Sequence, residues 1–566
     1  MYTKVLYIKI LLLITTVIFW GVFLYAVILQ NNEADIEEEG FSVIYIDEGT
    51  SQQIKGFYSE DTLYFCMPGY VEVDKLYFRM DSSMELIIEG EYLWNNSSMA
   101  DIELGKTYQV EYGKKGEERE KLQVVFMKGA ELPVIQITTA SGKLDYIHSQ
   151  KGNEESGYIQ VRDAANDNIN ICKLESIVGR GNTAWDAEKK SYTIKLDNNE
   201  EILGMEAEKS WILNANYYDG TYIRNQIGFE LARSVGIPNI SESCFVELYI
   251  NDEYMGLYQI MEDINVSKHR INIENNYLLE IDYTERACEE ENYIRLPNEQ
   301  PIVIKEPKKD VDKEKVQEFF DEFAAKMESG EIPWHLIEIE SFAKMFVMEE
   351  LLQDMDFGYS SHYMYLDIEN GILSEGVVWD LDNTMGRGIV QEPKELFAVS
   401  YDLEYNNLSR WYAKLYENKE FRSLIGKEYR EHFRPQLENL ITSGIGEYIK
   451  KIEKSIDMDQ KRFPDERSVF MSDASLEENI AYLKTYLQDK LELMDACFGQ
   501  ETLNEQVKIV LPETRSTLFE VENVDSQDQE SLGMLSMFMQ YRGILWLLML
   551  FILGIILQYQ CRRTGK

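Results

Sequence analysis

Histidine is nearly absent: five occur in 566 residues, and no two stand at metal-ligand spacing. The six cysteines, Cys66, Cys172, Cys244, Cys288, Cys497 and Cys561, are scattered singly without a C-x-x-C pair. Neither a zinc site nor a disulfide scaffold is signalled. Positive charge is scarce, with 56 Lys and Arg against 100 Asp and Glu, a formal net charge of -44. This balance argues against nucleic acid and anionic membrane surfaces as partners, because both need basic patches. The chain also lacks an ordinary G-x-G-x-x-G phosphate loop. Only 11 prolines occur, and with an Ile/Glu/Lys-rich composition this hints at a low-GC bacterial source.

What the chain does have begins with two apolar runs. Ile10 to Leu29 is free of charge and preceded by Lys4 and Lys9. Its length of about 20 residues suffices to cross a hydrocarbon layer of ~30 Å. A cleaved signal peptide is the alternative, but no small-x-small cleavage site follows and the run exceeds the usual apolar core of a leader. Gly543 to Leu557 is equally apolar, with Met534 to Met539 before it and Arg542 between, and Arg562, Arg563 and Lys566 follow. With positive residues at the outer side of both runs, residues 1–31 and 534–560 read as transmembrane helices with both termini cytoplasmic. The region between them then faces outward.

Between these ends the chain is long enough for two or three folded units. Residues 40–130 contain short alternating runs, among them Ser42 to Ile46, Thr62 to Met67 and Leu122 to Val125, which predict a small all-β sandwich. It carries no catalytic constellation. Residues 132–498 read as α+β, with strands and turns first and helices later. A helix from Thr221 to Val235 is expected after Asp219, and others at Val311 to Met327, Ser341 to Leu352, Lys419 to His432 and Ser475 to Ala496. This is a two-lobed plan. Residues 499–533 form an acidic tether, with one strand expected at Val507 to Leu511.

The most informative stretch is Asp356 to Asp382. Tyr363 to Ile368 and Ile372 to Trp379 are rich in aromatic and β-branched residues, and Asn370-Gly371 between them is a strong hairpin signal. A hairpin returns the chain to where it began, so Asp354 and Asp356 should sit near Asp380 and Asp382. Up to four converging carboxylates repel one another unless a cation neutralises them. A magnesium-type site follows, with Asp380 and Asp382 as metal ligands.

Four ordered blocks surround this hairpin. Gly179-Arg180-Gly181-Asn182-Thr183-Ala184-Trp185 precedes Lys189 to Leu196. Leu203-Gly204-Met205 and Trp211 to Asp219 lead into Tyr222-Ile223-Arg224-Asn225. Phe245 to Tyr258 is the third block, and Trp379-Asp380-Leu381-Asp382 through Gly386 the fourth. Over about Leu132 to Phe498 the chain resembles the spore-coat protein H family, the CotH kinases. The resemblance implies a two-lobed atypical protein-kinase-like domain, here preceded by the sandwich. It also implies transfer of phosphoryl groups from ATP, with Mg2+ or Mn2+, to serine or similar residues of partner proteins, which for this chain would be envelope or coat proteins. Asp356 stands where the family places its catalytic carboxylate. Arg180 and Asn182, among glycines, and Lys195 in its strand are the candidate phosphate-binding groups. Arg224 matches the family as well, with structural capping as its other reading. Glu262 is the expected partner of Lys195.

One departure matters. Five residues beyond Asp356, where kinases carry a metal-binding asparagine, this chain has Ser361, a weaker magnesium ligand. Two alternatives therefore stay open beside the kinase: a catalytically weak or inactive kinase-like surface scaffold, and nucleotidyl rather than phosphoryl transfer. ATP is also scarce outside a cytoplasmic membrane, a tension within the topology itself.

Overall fold

The computed structural model describes residues 40–500 apart from 48–49, 100, 164–167, 269, 274–275, 388–394, 403–405 and 465–473. Both apolar runs, the acidic tether and the strand expected at Val507 to Leu511 lie outside the described residues. Among the described residues no helix is long and apolar enough to cross a membrane.

The fold is mixed α+β and begins in β-structure. Seven strands follow one another across a sheet in the order Met205–Asn214, Ser191–Ile202, Asn168–Arg180, Glu154–Asp163, Val134–Thr139, Ser243–Ile250 and Glu253–Glu262. The last pairs back with the first, Trp211 opposite Glu262 and Leu213 opposite Ile260, so these seven strands close into a ring. All its pairings are antiparallel except Val134–Thr139 with Ser243–Ile250. Alternating residues such as Ile159, Ile177, Ile194 and Tyr258 fill a buried core of their own.

The sheet does not end at the ring. Glu253 pairs in parallel with Lys55, and Thr50–Lys55, Ser42–Asp47, Tyr77–Arg79 and Ser97–Ser98 extend it to eleven strands. These added strands share a core with a second, six-stranded sheet ordered Phe57–Ser59, Thr62–Met67, Glu120–Lys128, Thr107–Lys114, Met84–Ile88 and Glu91–Leu93. That core also takes in Val134, Tyr249, Tyr254 and Met458. The N-terminal β-rich region is thus built into the rest of the fold through both hydrogen bonds and packing.

The second lobe is built on a five-stranded sheet, Tyr293–Arg295, Pro301–Glu306, Tyr277–Ile281, His362–Asp367 and Ile372–Glu375, and the helices around it. Helices Lys313–Ser329, Ile339–Leu352, Lys419–Glu428 and Leu476–Phe498 occupy the stretches whose periodicity predicts them. Their ends follow local chemistry. Asp312 accepts the amide of Lys315, Asn418 those of Glu420 and Phe421, and Ser475 with Glu478 forms a reciprocal capping box. The helix expected to start at Thr221 begins at Arg224 instead, because Tyr222 has a φ of 64° and belongs to the preceding turn.

Candidate active site

Helix Ile339–Leu352 ends at Gln353, whose φ of 47° turns the chain sharply. The following loop is folded on itself: Asp354 Oδ1 accepts the amide of Asp356 at 3.0 Å. The hairpin then forms with Met364 opposite Glu375 and Asp367 opposite Ile372. Asp367 holds its turn by accepting the amides of Glu369 and Asn370. At its base Glu375 is clamped by His362 Nε2 at 2.9 Å and by the Tyr412 hydroxyl at 3.2 Å.

The second strand ends at Glu375, four residues before the expected Trp379. Val377 has a φ of 57°, a conformation that β-branched residues resist, and Asp380 has one of 58°. Backbone held in this region is locally costly and persists only where its surroundings impose it. The two left-handed residues aim the turn Leu381–Asn383, and with it Asp382 and Asn383, into the gap between the lobes.

Helix Arg224–Ser234 fixes that turn. Asn225 Oδ1 accepts the amide of Leu381 at 2.9 Å, and Arg224 Nε donates to the Thr384 carbonyl at 3.0 Å. Gly228 lets the two backbones approach, since a Cβ there would fall 2.1 Å from Leu381 Cδ1. Arg224 itself is buried and held by Asp219, which pairs with its guanidinium and accepts its amide at 2.9 Å. Arg224 therefore positions the acidic turn and does not line the cleft, which favours its structural reading over the cofactor-binding one.

A cleft of about 670 Å³ gathers Arg180, Asn182, Asp356, Asp380, Asp382, Asn383 and Arg387, with Tyr283 and Arg286 on the far wall. Three of the four expected carboxylates meet there. Asp354 does not line the cleft; burial first, then Glu349 and Asp356, push its carboxyl well up. Burial, and then the charge of Asp380, raise Asp356 to about 6. The same two causes raise Asp382 to about 7. Arg387 offsets part of this, donating to the Asp382 carbonyl at 2.8 Å with its guanidinium 3.8 Å from Oδ2.

The donor set suits a hard divalent ion that keeps several of its own waters. Among the described residues no group of three or more His, Cys, Asp or Glu side chains is placed to hold a metal ion by itself. Asn383 Oδ1, however, is buried beside the two aspartates without a hydrogen-bond partner among the described residues. An orphaned amide oxygen of this kind is what an ion or a ligand donor would satisfy. Asp380, Asp382 and Asn383 are the residues that would hold such an ion.

The family model described as CotH kinase protein matches residues 177–494, more than half the chain. The chain belongs to the CotH kinase family. Among solved structures, a Helicobacter pylori proinflammatory kinase, CtkA, aligns at 13% identity over 53% of this chain and 92% of that one, with a TM-score of 0.22. No curated relative matches the chain.

In this member of the CotH kinase family two further expected site residues, Lys195 and Glu262, lie elsewhere. Lys195 is about half exposed and pairs with Glu175 at 2.8 Å on the neighbouring strand. Ser191, on the same face of that strand, does line the cleft. Four residues at about 3.3 Å each separate the two, which carries Lys195 roughly 13 Å away. Glu262 is taken by Arg270 and accepts the amide of Glu242 at 3.0 Å, so the expected Lys195–Glu262 pair is absent. No lysine lines the cleft among the described residues. Its cations are Arg180, whose guanidinium sits 5.8 Å from the Trp379 ring centre, Arg387 and Arg286. Asn182 reaches the cleft and accepts from Lys151 Nζ at 2.8 Å, with Gly181 at a φ of 96° letting the backbone turn beside it.

Ser361, at the position of the kinase asparagine, has a φ of 53° and does not line the cleft, whereas its neighbour Ser360 does. Asn383 supplies the amide from another place. It stands directly after Asp382, so its position could have flagged it. Tyr283 and Arg286 follow strand Tyr277–Ile281 without any motif, and only the fold reveals them.

Proposed function

We propose that this CotH kinase is an ATP- and Mg2+- or Mn2+-dependent phosphotransferase that modifies serine or similar residues of envelope or coat proteins. Its two apolar terminal runs tether it to the membrane with the folded region outside. The observation that carries the catalytic part is the meeting of Asp356, Asp380, Asp382 and three arginines around one cleft. Phosphoryl transfer needs a metal on the phosphate oxygens, cations to hold them and a carboxylate to orient the acceptor. Mg2+, when bound, would supply charge neutralisation of the phosphate oxygens. Asp380 and Asp382, with the Asn383 amide, would hold the ion; Arg180 and Arg387 bind phosphate oxygens; Asp356 accepts a hydrogen bond from the acceptor hydroxyl and takes its proton.

The test is incubation of the full chain with γ-labelled and α-labelled ATP and either metal, beside Asp356→Asn and Asp380→Asn. Label from the γ position alone, reduced at least 100-fold in both variants, is expected. Label from the α position would mean nucleotidyl transfer. A second reading, a nucleotide-binding scaffold without transfer, is favoured by the arginine-only cation set and by Ser361. It would be upheld by a thermal shift with ATP that is accompanied by no label. For topology, a reporter fused after Lys566 that works only outside the membrane would refute the two-span arrangement.

A further inference from the structure

The carboxylate that orients the acceptor already has a hydroxyl on it. Tyr283 donates its phenolic O–H to Asp356 Oδ1 at 3.1 Å, from inside the cleft that holds Asp380 and the arginines. The two serine hydroxyls there are engaged differently. Ser191 donates to Asn214 Oδ1 at 3.2 Å and accepts from the amide of Ala215 at 3.0 Å. Ser360 is tied to Arg286, Asp282 and Ser361. Of these three hydroxyls only that of Tyr283 is hydrogen-bonded to Asp356.

Its ring is placed rather than merely adjacent. It stacks on Tyr359 at 6.4 Å and 18°, and the Arg286 guanidinium lies 5.3 Å from its centre. Arg286 is itself fixed by Asp282 and Ser360. The segment around the tyrosine is short and local: Tyr283 precedes the single turn Thr284–Ala287 that follows strand Tyr277–Ile281. About 45% of the residue is exposed, so the ring borders solvent and is free of the core.

We propose that Tyr283 is an intramolecular phosphoryl acceptor of this kinase, an inference that rests on the phosphotransferase reading above. The phenolic oxygen attacks the γ-phosphorus of a bound nucleoside triphosphate, forming an O–P bond as the bond from that phosphorus to the β-γ bridging oxygen breaks. The nucleoside diphosphate leaves with the electron pair, and the phenolic proton passes to Asp356. An acceptor held at the base before nucleotide arrives has effectively paid its orientation cost, which is the condition under which intramolecular steps outrun bimolecular ones. The phosphate so formed carries nearly two negative charges and three acceptor oxygens, with Arg286 at hand to bind it and Asp356 to repel it. Modification would therefore clear the acceptor position for another substrate.

The experiment is mass spectrometry of the full chain after incubation with ATP and Mg2+, with phosphoamino-acid analysis, at protein concentrations spanning 100-fold. Phosphate on Tyr283, with a first-order rate independent of protein concentration, is expected, along with a loss of at least tenfold in phosphotyrosine for Tyr283→Phe, which keeps the ring stack. A rate proportional to protein concentration would overturn the intramolecular step. Phosphate transferred to other residues or to an added protein while Tyr283 stays unmodified would overturn the inference and leave the phosphotransferase reading standing. Neither transfer nor ATP hydrolysis under any metal would end both.

Discussion

At the scale of single residues, the division of labour among cations is the clearest departure from what the sequence suggests. Lys195 sits in a strand of regular alternation, and alternation says which face a residue takes but not how far along the strand the cleft lies. Its ion pair with Glu175 is exposed, where such pairs contribute little. Lys195→Ala is expected to leave phosphoryl transfer within twofold of the parent, whereas Arg180→Ala should reduce it by about 100-fold, the usual loss on removing one donor from developing charge. Steady-state rates at saturating Mg2+ decide between them; equal losses would return the lysine to the cleft. Asp356, Asp380 and Asp382 were legible because hairpin geometry needs only a turn signal and two flanking acidic residues. Tyr283 and Arg286 were not, since nothing in their immediate neighbours distinguishes a cleft wall from an ordinary loop, whereas Asn383 was within reach through its place beside Asp382.

At the scale of elements, the acidic turn is held by a helix that never touches the cleft chemistry through most of its length. Arg224, Asn225 and Gly228 occupy successive contacts along Leu381 to Thr384. The close approach at Gly228 makes a sharp prediction. Gly228→Val drives its side chain into Leu381, and overpacking of this kind costs about 1–3 kcal/mol. The displaced turn would carry Asp380 and Asp382 with it, so transfer should fall at least tenfold while the thermal midpoint drops by a few degrees. Full activity with lowered stability would mean that the turn is anchored elsewhere. The sequence foretold a helix here but started it three residues early. A capping aspartate is visible in a string of letters, whereas the left-handed Tyr222 that delays the first turn follows from tertiary contacts.

At the scale of the molecule, one buried carboxyl joins three parts of the fold. Glu247 lies in the ring strand Ser243–Ile250, accepts the Ser455 hydroxyl of helix Ile445–Arg462 at 2.7 Å, and adds to burial in raising the Cys66 thiol of the N-terminal sheet. Ser455 in turn accepts the amide of Ala130 at 2.9 Å. Burial pushes Glu247 up to about 8 against an ordinary value of 4.5, outweighing the Ser455 hydrogen bond that lowers it. Because the folded value is the higher one, its protonation stabilises the fold fully below pH 4.5, and that contribution is lost as pH rises through 8. Glu247→Gln, permanently neutral, should therefore flatten the pH dependence of chemical denaturation, gaining on the parent between pH 5 and 8 by on the order of 1 kcal/mol per pH unit. Parallel curves for the two proteins would place the titration elsewhere. The sequence separates residues 40–130 from the remainder because their runs are self-contained. The pairing of Lys55 with Glu253 leaves no local mark, since an edge strand reads the same whether or not another strand lies beside it.

That continuity bears on how the protein is made. The apolar face contributed by Val43, Phe65, Phe78 and Phe126 is completed by Met458. At a synthesis rate of about 5–20 residues per second, the ribosome needs roughly 20–80 s to travel from the first of these side chains to the last. During that interval a sticky nascent surface waits for its cover, so this polypeptide should depend on holding factors that shelter early strands until late helices emerge.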